Sequence, residues 1–367
     1  MDNILYIGPY REFSGMGNAS RQYIQSLVLS GHNISIRPSY NYYVAYPSSS
    51  IDNSILNLEK NSSKHYHKII QHCYPHQLVF NNKFDENIGL IHLESINNTN
   101  MLTEHINLMD KIIVGSKFVK LALNNLNVKP KIHIIPEPIN YQFIQDYRNN
   151  NPIEIKDYNY KFYTISNFED RKNISSLLMA FLICSNHYSD IDLSIKLRHI
   201  HNVASVQEYI EYEFEKIYTT VRKNFVKKPK LYIGNTAYEN ILYLHNNNDC
   251  YINTSYGESF GYSALEALAF NNQIIVTENT GFDDIIDNNC GIKIYSDTVT
   301  CKDKDRTFPI YNSVYQKWYE PKIDDIVEKM FLAINESKNS KKERIKNQNL
   351  KIEQFTIQTI AEKFKSL

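Results

Sequence analysis

The stretch CYINTSYGESFGYSALEALAFNNQIIVTENTGFDDII, residues 250–286, decides how the chain is read. An apolar run at Cys250–Asn253 predicts a strand, and a small polar loop holding Gly257 and Gly261 follows it. Residues from about Tyr262 to Phe270 predict a helix, and Gln273–Thr277 predicts a second strand. Small residues just before a helix let the backbone approach an anion closely, and the unpaired N–H groups of the first turn then point at it. The loop therefore reads as a phosphate cradle. Glu258 lies in the loop and Glu266 about one turn into the helix, so both can face the mouth of the cradle. Carboxylates accept hydrogen bonds in pairs, which suits sugar and ribose hydroxyls. Either glutamate alone reads more readily as a solvated charge. Together with Phe260-Gly261 and Ala267-Leu268-Ala269 the pattern becomes specific.

Gly257-Glu258-Ser259-Phe260-Gly261, then Leu265-Glu266-Ala267, and later Gly281 with Ile285-Ile286, resemble the E-x7-E donor motif of the retaining nucleotide-sugar glycosyltransferases of family 4, glycosyl transferases group 1. The resemblance implies an α/β chain with the GT-B fold, two Rossmann-like domains facing a central cleft. It implies an acceptor-side domain over 1–158, a donor domain over 159–350, and a terminal helix in 351–367 that packs back across the junction. It further implies hexosyl transfer from a UDP- or GDP-sugar to a hydroxyl of a glycan, a lipid-linked or another acceptor, with retention and with neither metal nor cofactor. Glu258 would contact the transferred sugar and Glu266 the ribose.

Composition sets the outer bounds. With 367 residues, 42% of them hydrophobic, the chain is long enough for two packed cores. Lys plus Arg equals Asp plus Glu at 40 each, so no global field draws it to nucleic acid or an anionic membrane. Cys73, Cys184, Cys250, Cys290 and Cys301 are odd in number and form no C-x-x-C pair, which argues against a disulfide framework or a zinc site and for a reducing compartment. No run approaches the ~18 apolar residues of a membrane span. A cytoplasmic location is expected, with peripheral membrane contact and oligomeric state left open. Tyr is frequent at 28 and is given no functional weight.

Outward from the central stretch, residues 3–7 predict a strand. A loop reaches Ser14-Gly15-Met16-Gly17, and a helix with Tyr23, Ile24, Leu27 and Val28 at helical spacing ends at Gly31 before the strand Asn33–Ile36. Gly15-x-Gly17-x-x-Ser20 invites a dinucleotide-binding reading, but seven residues separate Ile7 from Gly15 and no acidic residue follows at the required place. An NAD(P)-dependent oxidoreductase is thereby disfavoured. By resemblance, Gly15, Met16 and Gly17, with Arg21 close behind, form the glycine loop against the donor's phosphates and sugar. Residues 40–87 show little pattern and are expected to hold acceptor-side variability. The strand Ile88–Ile91 leads into His92-Leu93-Glu94-Ser95 at a C-terminal strand end, where doubly wound sheets bind ligands. His92 and Glu94 are acceptor-side candidates, and a satisfied structural histidine is an equal reading of His92. Strands are predicted at Lys111–Val114 and Lys131–Ile135, with Ser116 as a helix cap and Pro136-Glu137-Pro138 closing the block. Asn149–Pro152 reads as a linker.

Lys161–Ile165 predicts the first strand of a second domain, entering Ser166-Asn167-Phe168-Glu169-Asp170-Arg171-Lys172-Asn173 and a helix with Leu177, Leu178 and Phe181. Two cations at a strand-to-helix loop suit a diphosphate. Lys172 matches the family's late Lys, whereas Ser166-Asn167 stands where Gly-Arg is usual, so Arg171 is expected to supply the guanidinium. Asp190-Ile-Asp192 resembles a metal-binding D-x-D but sits at a strand entrance, where turn chemistry is the better reading. Ser205-x-x-Glu208 predicts a capping box opening an amphipathic helix with Val206, Ile210, Phe214, Ile217 and Val221 inward. After the strand Leu231–Gly234, Asn235 falls where the family holds the base through backbone groups. Cys290–Ile294 predicts a strand, 296–317 a polar excursion, 323–335 a helix, 338–351 a lysine-rich solvated helical face, and 356–365 a final helix. The donor-site set is Gly15, Met16, Gly17, Asn167, Arg171, Lys172, Asn235, Glu258, Ser259, Phe260, Gly261, Tyr262 and Glu266, with Glu258, Arg171, Lys172 and His92 as the catalytic candidates. The rival from another class is a non-catalytic nucleotide-sugar-binding module on the same scaffold.

Overall fold

The computed structural model describes residues 2–12, 14–39, 51–98, 100–153, 159–198, 203–221, 228–301 and 315–367. In the first half β1 (Asn3–Gly8), α1 (Gly15–Leu29), β2 (Asn33–Pro38), α2 (Asn53–Asn57), β3 (Lys68–Cys73) and β4 (Glu86–Ile91) lead to α3 (Met101–Ile106). Then come β5 (Lys111–Val114), α4 (Lys117–Asn124), β6 (Lys131–Ile134) and α5 (Tyr141–Asn150). The second half runs β7 (Tyr160–Asn167), α6 (Ile174–Ser185), β8 (Ile191–Arg198), α7 (Val203–Val221), β9 (Lys230–Ile233), α8 (Tyr238–Asn247) and β10 (Cys250–Asn253). It continues with α9 (Tyr262–Ala269), β11 (Gln273–Thr277), α10 (Phe282–Ile285), β12 (Ile292–Ile294), β13 (Ser296–Thr300) and β14 (Lys317–Pro321). Three helices end it: α11 (Ile323–Ile334), α12 (Lys338–Ile352) and α13 (Ile357–Lys365).

Two Rossmann-like α/β domains result, each with a six-stranded sheet, in the orders β2-β1-β3-β4-β5-β6 and β12-β11-β10-β7-β8-β9. Every pairing within the two sheets is parallel. Parallel strands buried on both faces need nearly continuous apolar sequence, and β10 and β11 are buried at every position. Strand order reverses between β1 and β3 in the first sheet and between β7 and β10 in the second. Ligands bind at such switch points, outside the carboxyl ends of the strands. The loops after β1, β3, β7 and β10 are therefore the ones that build a site. One hydrophobic core runs from the inner face of the first sheet through α1 and α13 to α9 of the second domain. The last helix packs on α1, with Tyr23 and Phe364 edge to face at 6.0 Å.

The structure departs from the sequence reading at several elements. Within 40–87 it places β3 and α2, so that stretch is not without pattern. Asn149 and Asn150, expected in a linker, end α5, a helix whose buried position is Ile144. Val28 lies on the exposed side of α1 although Tyr23, Ile24 and Leu27 are buried. Ser205 is inside α7, which already begins at Val203, so it does not open the helix as a cap. The described parts of 296–317 contribute to an antiparallel hairpin, β13 with β14, that reaches the first domain: Lys317 bridges Ile96, and Trp318 packs among Leu93, Phe118 and Val119. On α12 the lysines are solvated, but Arg344 is buried and bridges both oxygens of Glu336, at 2.7 and 2.9 Å, and Gln348 is buried beside it. The expected boundary at 158, residues 40–50 and residues 302–314 lie outside the described residues.

Candidate active site

Between the two sheets, at their carboxyl ends, a cleft is lined by the segments after β1, β3, β4, β6, β7, β9, β10 and β11. Local chemistry shapes the loop after β10. Gly261, at φ +102, precedes α9 in a left-handed conformation that a side chain would strain, and a Cβ there would lie 2.2 Å from Cε1 of Phe282. Thr254 and Asn173 exchange hydrogen bonds at 3.0 and 3.2 Å, and the Tyr256 amide donates to the Arg171 carbonyl at 2.8 Å. The loop is thereby fixed to the turn after β7. The amide of Gly281 donates to the Glu258 carbonyl at 2.8 Å, which anchors its other side.

Glu258 is buried in this cradle. Its Oε1 accepts from Lys172 Nζ in a short contact and from Ser255 Oγ at 3.0 Å, with Arg171 Nη1 at 3.5 Å. Burial pushes its pKa up, but the Lys172 and Arg171 charges outweigh that and hold the carboxyl below its ordinary value. Glu258 is thus an anion at neutral pH, poised against cations. Glu266, on α9, is buried deeper. Its Oε2 lies 3.4 Å from His245 Nε2, and Oε1 is buried with no hydrogen-bond partner among the described residues. His245 is itself oriented by a chain in which Asn272 Nδ2 donates to the Tyr163 hydroxyl at 2.7 Å and that hydroxyl meets Nδ1 at 2.6 Å. An acceptor left open in an otherwise paired buried group fits a ligand hydroxyl.

Lys172 and Arg171 sit in the short helical turn after β7, and both line the cleft. Arg171 is heavily engaged by protein. Nη1 donates to the Gly257 carbonyl at 2.5 Å, and Nη2 lies 3.1 Å from Glu169 and 3.5 Å from Glu94. Asn167 ends β7 and donates to Glu169 Oε1 at 3.0 Å. Asn235 lines the cleft beyond β9 next to Gly234, at φ +105. Ser259, Phe260 and Tyr262 line it too, but Ser259 and Tyr262 are also tied to the first domain and Phe260 to the terminal segment. Ser116 Oγ donates to the Ser259 carbonyl at 2.5 Å, Phe260 packs edge to face on Phe355 at 5.9 Å, and the Tyr262 hydroxyl donates to the Pro138 carbonyl at 3.3 Å.

From the first domain, Gly15 and Met16 reach the cleft and Gly17 does not. A Cβ at Gly17 would lie 2.3 Å from the Glu12 carbonyl oxygen, so this glycine lets helix and loop pack. Arg21 holds the same loop, donating to the Tyr10 and Glu12 carbonyls at 2.6 and 3.3 Å. His92 and Glu94 stand at the cleft wall, both buried. His92 Nε2 meets His72 Nε2 at 2.7 Å, while Nδ1 lies 3.2 Å from Ser259 Oγ and 3.5 Å from Glu137 Oε1. Burial pushes the His92 pKa down to about 4.

Several lining residues escaped the sequence reading. Glu137, between two prolines after β6, is buried in the cleft, and burial followed by repulsion from Glu258 and Glu94 pushes its pKa up to about 8. Lys196 and Arg198 alternate on β8, and burial and then the Arg198 charge push Lys196 down to about 8. Cations at i and i+2 at a strand's C-terminal end were a usable signal. His245 and His72, which stand behind the lining against Glu266 and His92, carried none, because their roles arise through partners remote in sequence. Asp192 lies inside β8, taking a 3.3 Å hydrogen bond from Asn159. Among the described residues, His65, His67 and Asp85 form the grouping with metal-ligand spacing, at the amino ends of β3 and β4 and away from the cleft.

Glu137 makes stability depend on pH. Between pH 6.5 and 8 the unfolded side chain is already ionised while the folded one keeps its proton, so the folded state binds more protons and loses stability as pH rises. The loss is about 1.5 kcal/mol over that interval. His92 acts with the opposite sign at lower pH, between about 4 and 6.5, where the unfolded imidazole binds a proton first. In Glu137→Gln the decline of unfolding free energy from pH 6.5 to 8, measured by urea titration, is expected to flatten. An unchanged slope would show that Glu137 is ionised in the fold.

Residues 146–297 match the family model described as glycosyl transferases group 1. A search of curated proteins found no match. Among solved structures, the chain is similar to sucrose-phosphate synthase from Thermosynechococcus elongatus, at 12% identity and TM-score 0.66 over 100% of this chain and 98% of that one. It is similar to Anabaena HepE in complex with UDP and glucose, at 12% identity and TM-score 0.66 over 100% and 99%. An E. coli trehalose-6-phosphate structure bound with UDP-2-fluoro glucose gives 10% identity and TM-score 0.67 over 99% and 98%. At these identities the likeness establishes the architecture, which is GT-B. With a glycosyl transferases group 1 segment spanning the Glu258 and Glu266 loop on that architecture, the chain is an enzyme of the glycosyltransferase class.

Proposed function

We propose that the chain transfers a hexose from a UDP- or GDP-sugar to an acceptor hydroxyl with retention at the anomeric carbon, in the manner of family 4 and in the synthesis of glycans or glycoconjugates. The observation that supports this reading best is the pair of buried glutamates in one cleft, Glu258 held by Lys172 and Glu266 with Oε1 unpartnered. Lys172 and the amino end of α9 would stabilise the departing diphosphate, and Arg171 would add its field while fixing the loop. The leaving oxygen would take the acceptor's proton, so no strong protein base is required. Glu258 would orient the sugar hydroxyls, and Glu266 would accept from the ribose. The UDP named in two of the structural neighbours favours the uridine series. The donor domain is taken as 159–350 and the acceptor-side domain as 1–158. Turnover is expected to survive EDTA, because cations of the chain would occupy the place of a metal. Among the described residues no helix is long and apolar enough to cross a membrane. Action in the cytoplasm, with any membrane contact peripheral, is part of the same proposal.

The test is a thermal-shift screen of UDP-, GDP-, ADP-, TDP- and CMP-linked sugars in EDTA. Ligand that binds the native state raises the melting temperature by mass action. One diphosphate series is expected to stabilise the wild type, and Glu266→Ala to weaken that response by about tenfold in apparent Kd, the worth of one buried hydrogen bond. A response that survives Glu266→Ala unchanged would remove the ribose from this pocket.

A further inference from the structure

The two walls of the cleft differ in charge. Its cations, Arg171, Lys172, Lys196 and Arg198, all come from the second domain, on β8 and the turn after β7. The described first-domain lining includes Ser14, Asn18, Tyr74, His92, Glu94 and Glu137, and no Lys or Arg. The guanidinium groups nearest the glycine loop are committed elsewhere. Arg11 donates from Nε and Nη2 to the two oxygens of Glu59, each at 2.7 Å, and Arg21 holds the loop carbonyls. Glu94 has Arg171 at 3.5 Å as a counter-charge, which leaves that guanidinium facing three carboxylates, Glu94, Glu169 and Glu258. His92 is buried and neutral at physiological pH, so it adds no positive charge to this wall.

We infer that the first-domain wall takes an uncharged polyhydroxyl acceptor, a sugar without phosphate, and turns away a phosphorylated one. The inference rests on the transfer reading above. Carboxyl groups, an imidazole and short hydroxyls recognise neutral hydroxyls in both directions, as donors and acceptors. A phosphate monoester placed there would bring about two negative charges against Glu94, with no Lys or Arg in the described first-domain lining to receive it. With a proton on Glu137, that side chain can donate to an acceptor oxygen while Glu94 accepts. The wall then suits a hydroxyl that is both positioned and left uncharged before attack.

The experiment uses the full chain saturated with whichever nucleoside diphosphate stabilises it, so that the second-domain cations are occupied. Saturation-transfer NMR compares glucose with glucose-6-phosphate. Glucose is expected to bind, and glucose-6-phosphate to bind at least about tenfold more weakly. Glu137→Lys, which places a cation on the first-domain wall, is expected to raise glucose-6-phosphate binding by at least about tenfold. Glucose-6-phosphate binding to the wild type as tightly as glucose would overturn the inference. A Glu137→Lys chain with normal melting and normal diphosphate response that gains no glucose-6-phosphate binding would also overturn it, including when neither sugar binds the wild type. If that variant does not fold, the Glu94→Gln/Glu137→Gln double variant is read by the same criterion. Absence of any nucleoside diphosphate response counts against the transfer reading alone, and the sugar comparison is then made on the nucleotide-free chain.

Discussion

Replacing Lys172 by alanine is expected to lower kcat/KM for sugar transfer by about two to three orders of magnitude, the typical loss when a preorganised charge-stabilising group is removed from a dry site. Two effects of the substitution act in the same direction. The ammonium that would receive the diphosphate is gone, and its competitor for that role, Arg171, already spends Nη1 on the Gly257 carbonyl and Nη2 on Glu169. Glu258 also loses its nearest partner and keeps Ser255 at 3.0 Å and Arg171 at 3.5 Å, so burial pushes its carboxyl up and weakens it as an acceptor for sugar hydroxyls. The check is steady-state kinetics with the donor found by thermal shift, alongside melting of the apo chain to separate folding from chemistry. Lys172→Arg should recover part of the rate, because the charge returns with a different shape. If Lys172→Ala leaves kcat/KM unchanged, the diphosphate must lie against Lys196 and Arg198 on β8.

The 250–286 stretch was legible because its meaning is local. Gly261 at φ +102, the cap position before α9 and the two fully buried strands around it follow from neighbouring residues, and the structure reproduces those elements with the same bounds to within a residue. β3 was missed because its sequence, KIIQHC, breaks the apolar run with Gln71 and His72. Both are buried and hydrogen-bonded, Gln71 to Val79 and His72 to Tyr6 and His92. A polar residue satisfied by a remote partner looks like a loop residue in one dimension. The helix α5 was not foreseen, and its last two residues were read as linker, for a related reason, since it buries Ile144 and leaves its polar side chains outside. In the site, sequence spacing placed Arg171 and Lys172 on one turn but could not show that the first is shared among Gly257, Glu169, Glu94 and Glu258 while the second meets Glu258 most closely. Glu137 was visible between two prolines. What raises its pKa is burial first and then the nearness of Glu258 and Glu94, and both the burial against the facing loops and the approach of Glu258 depend on the docking of the second domain.

That docking also sets the largest expected stability effect. At Gly257 a Cβ would lie 2.0 Å from the carbonyl oxygen of Glu94 and 3.1 Å from its carbonyl carbon, with Trp318 Cδ1 at 3.2 Å. The obstructing atoms are backbone of the first domain, and Trp318 is buried on the hairpin that latches the domains, so neither can turn aside as a flexible side chain would. Gly257→Ala is therefore expected to cost about 3 kcal/mol or more, the upper range of overpacking in a close-packed interior. It should also weaken donor binding, because relief of the clash moves the loop that presents Glu258. Gly31→Ala gives the scale for comparison. Gly31 has φ +88 and nothing within 4 Å of its Cβ position, so its cost is conformational and about 1–2 kcal/mol. Urea unfolding of the two variants, with the donor's thermal shift measured on each, separates the mechanisms: Gly31→Ala should lose stability and keep its donor response, whereas Gly257→Ala should lose both. If Gly257→Ala proves the milder of the two, the loops of the two domains are not in backbone contact in solution, and the cleft is wider than the geometry of Glu94, Arg171 and Glu258 requires.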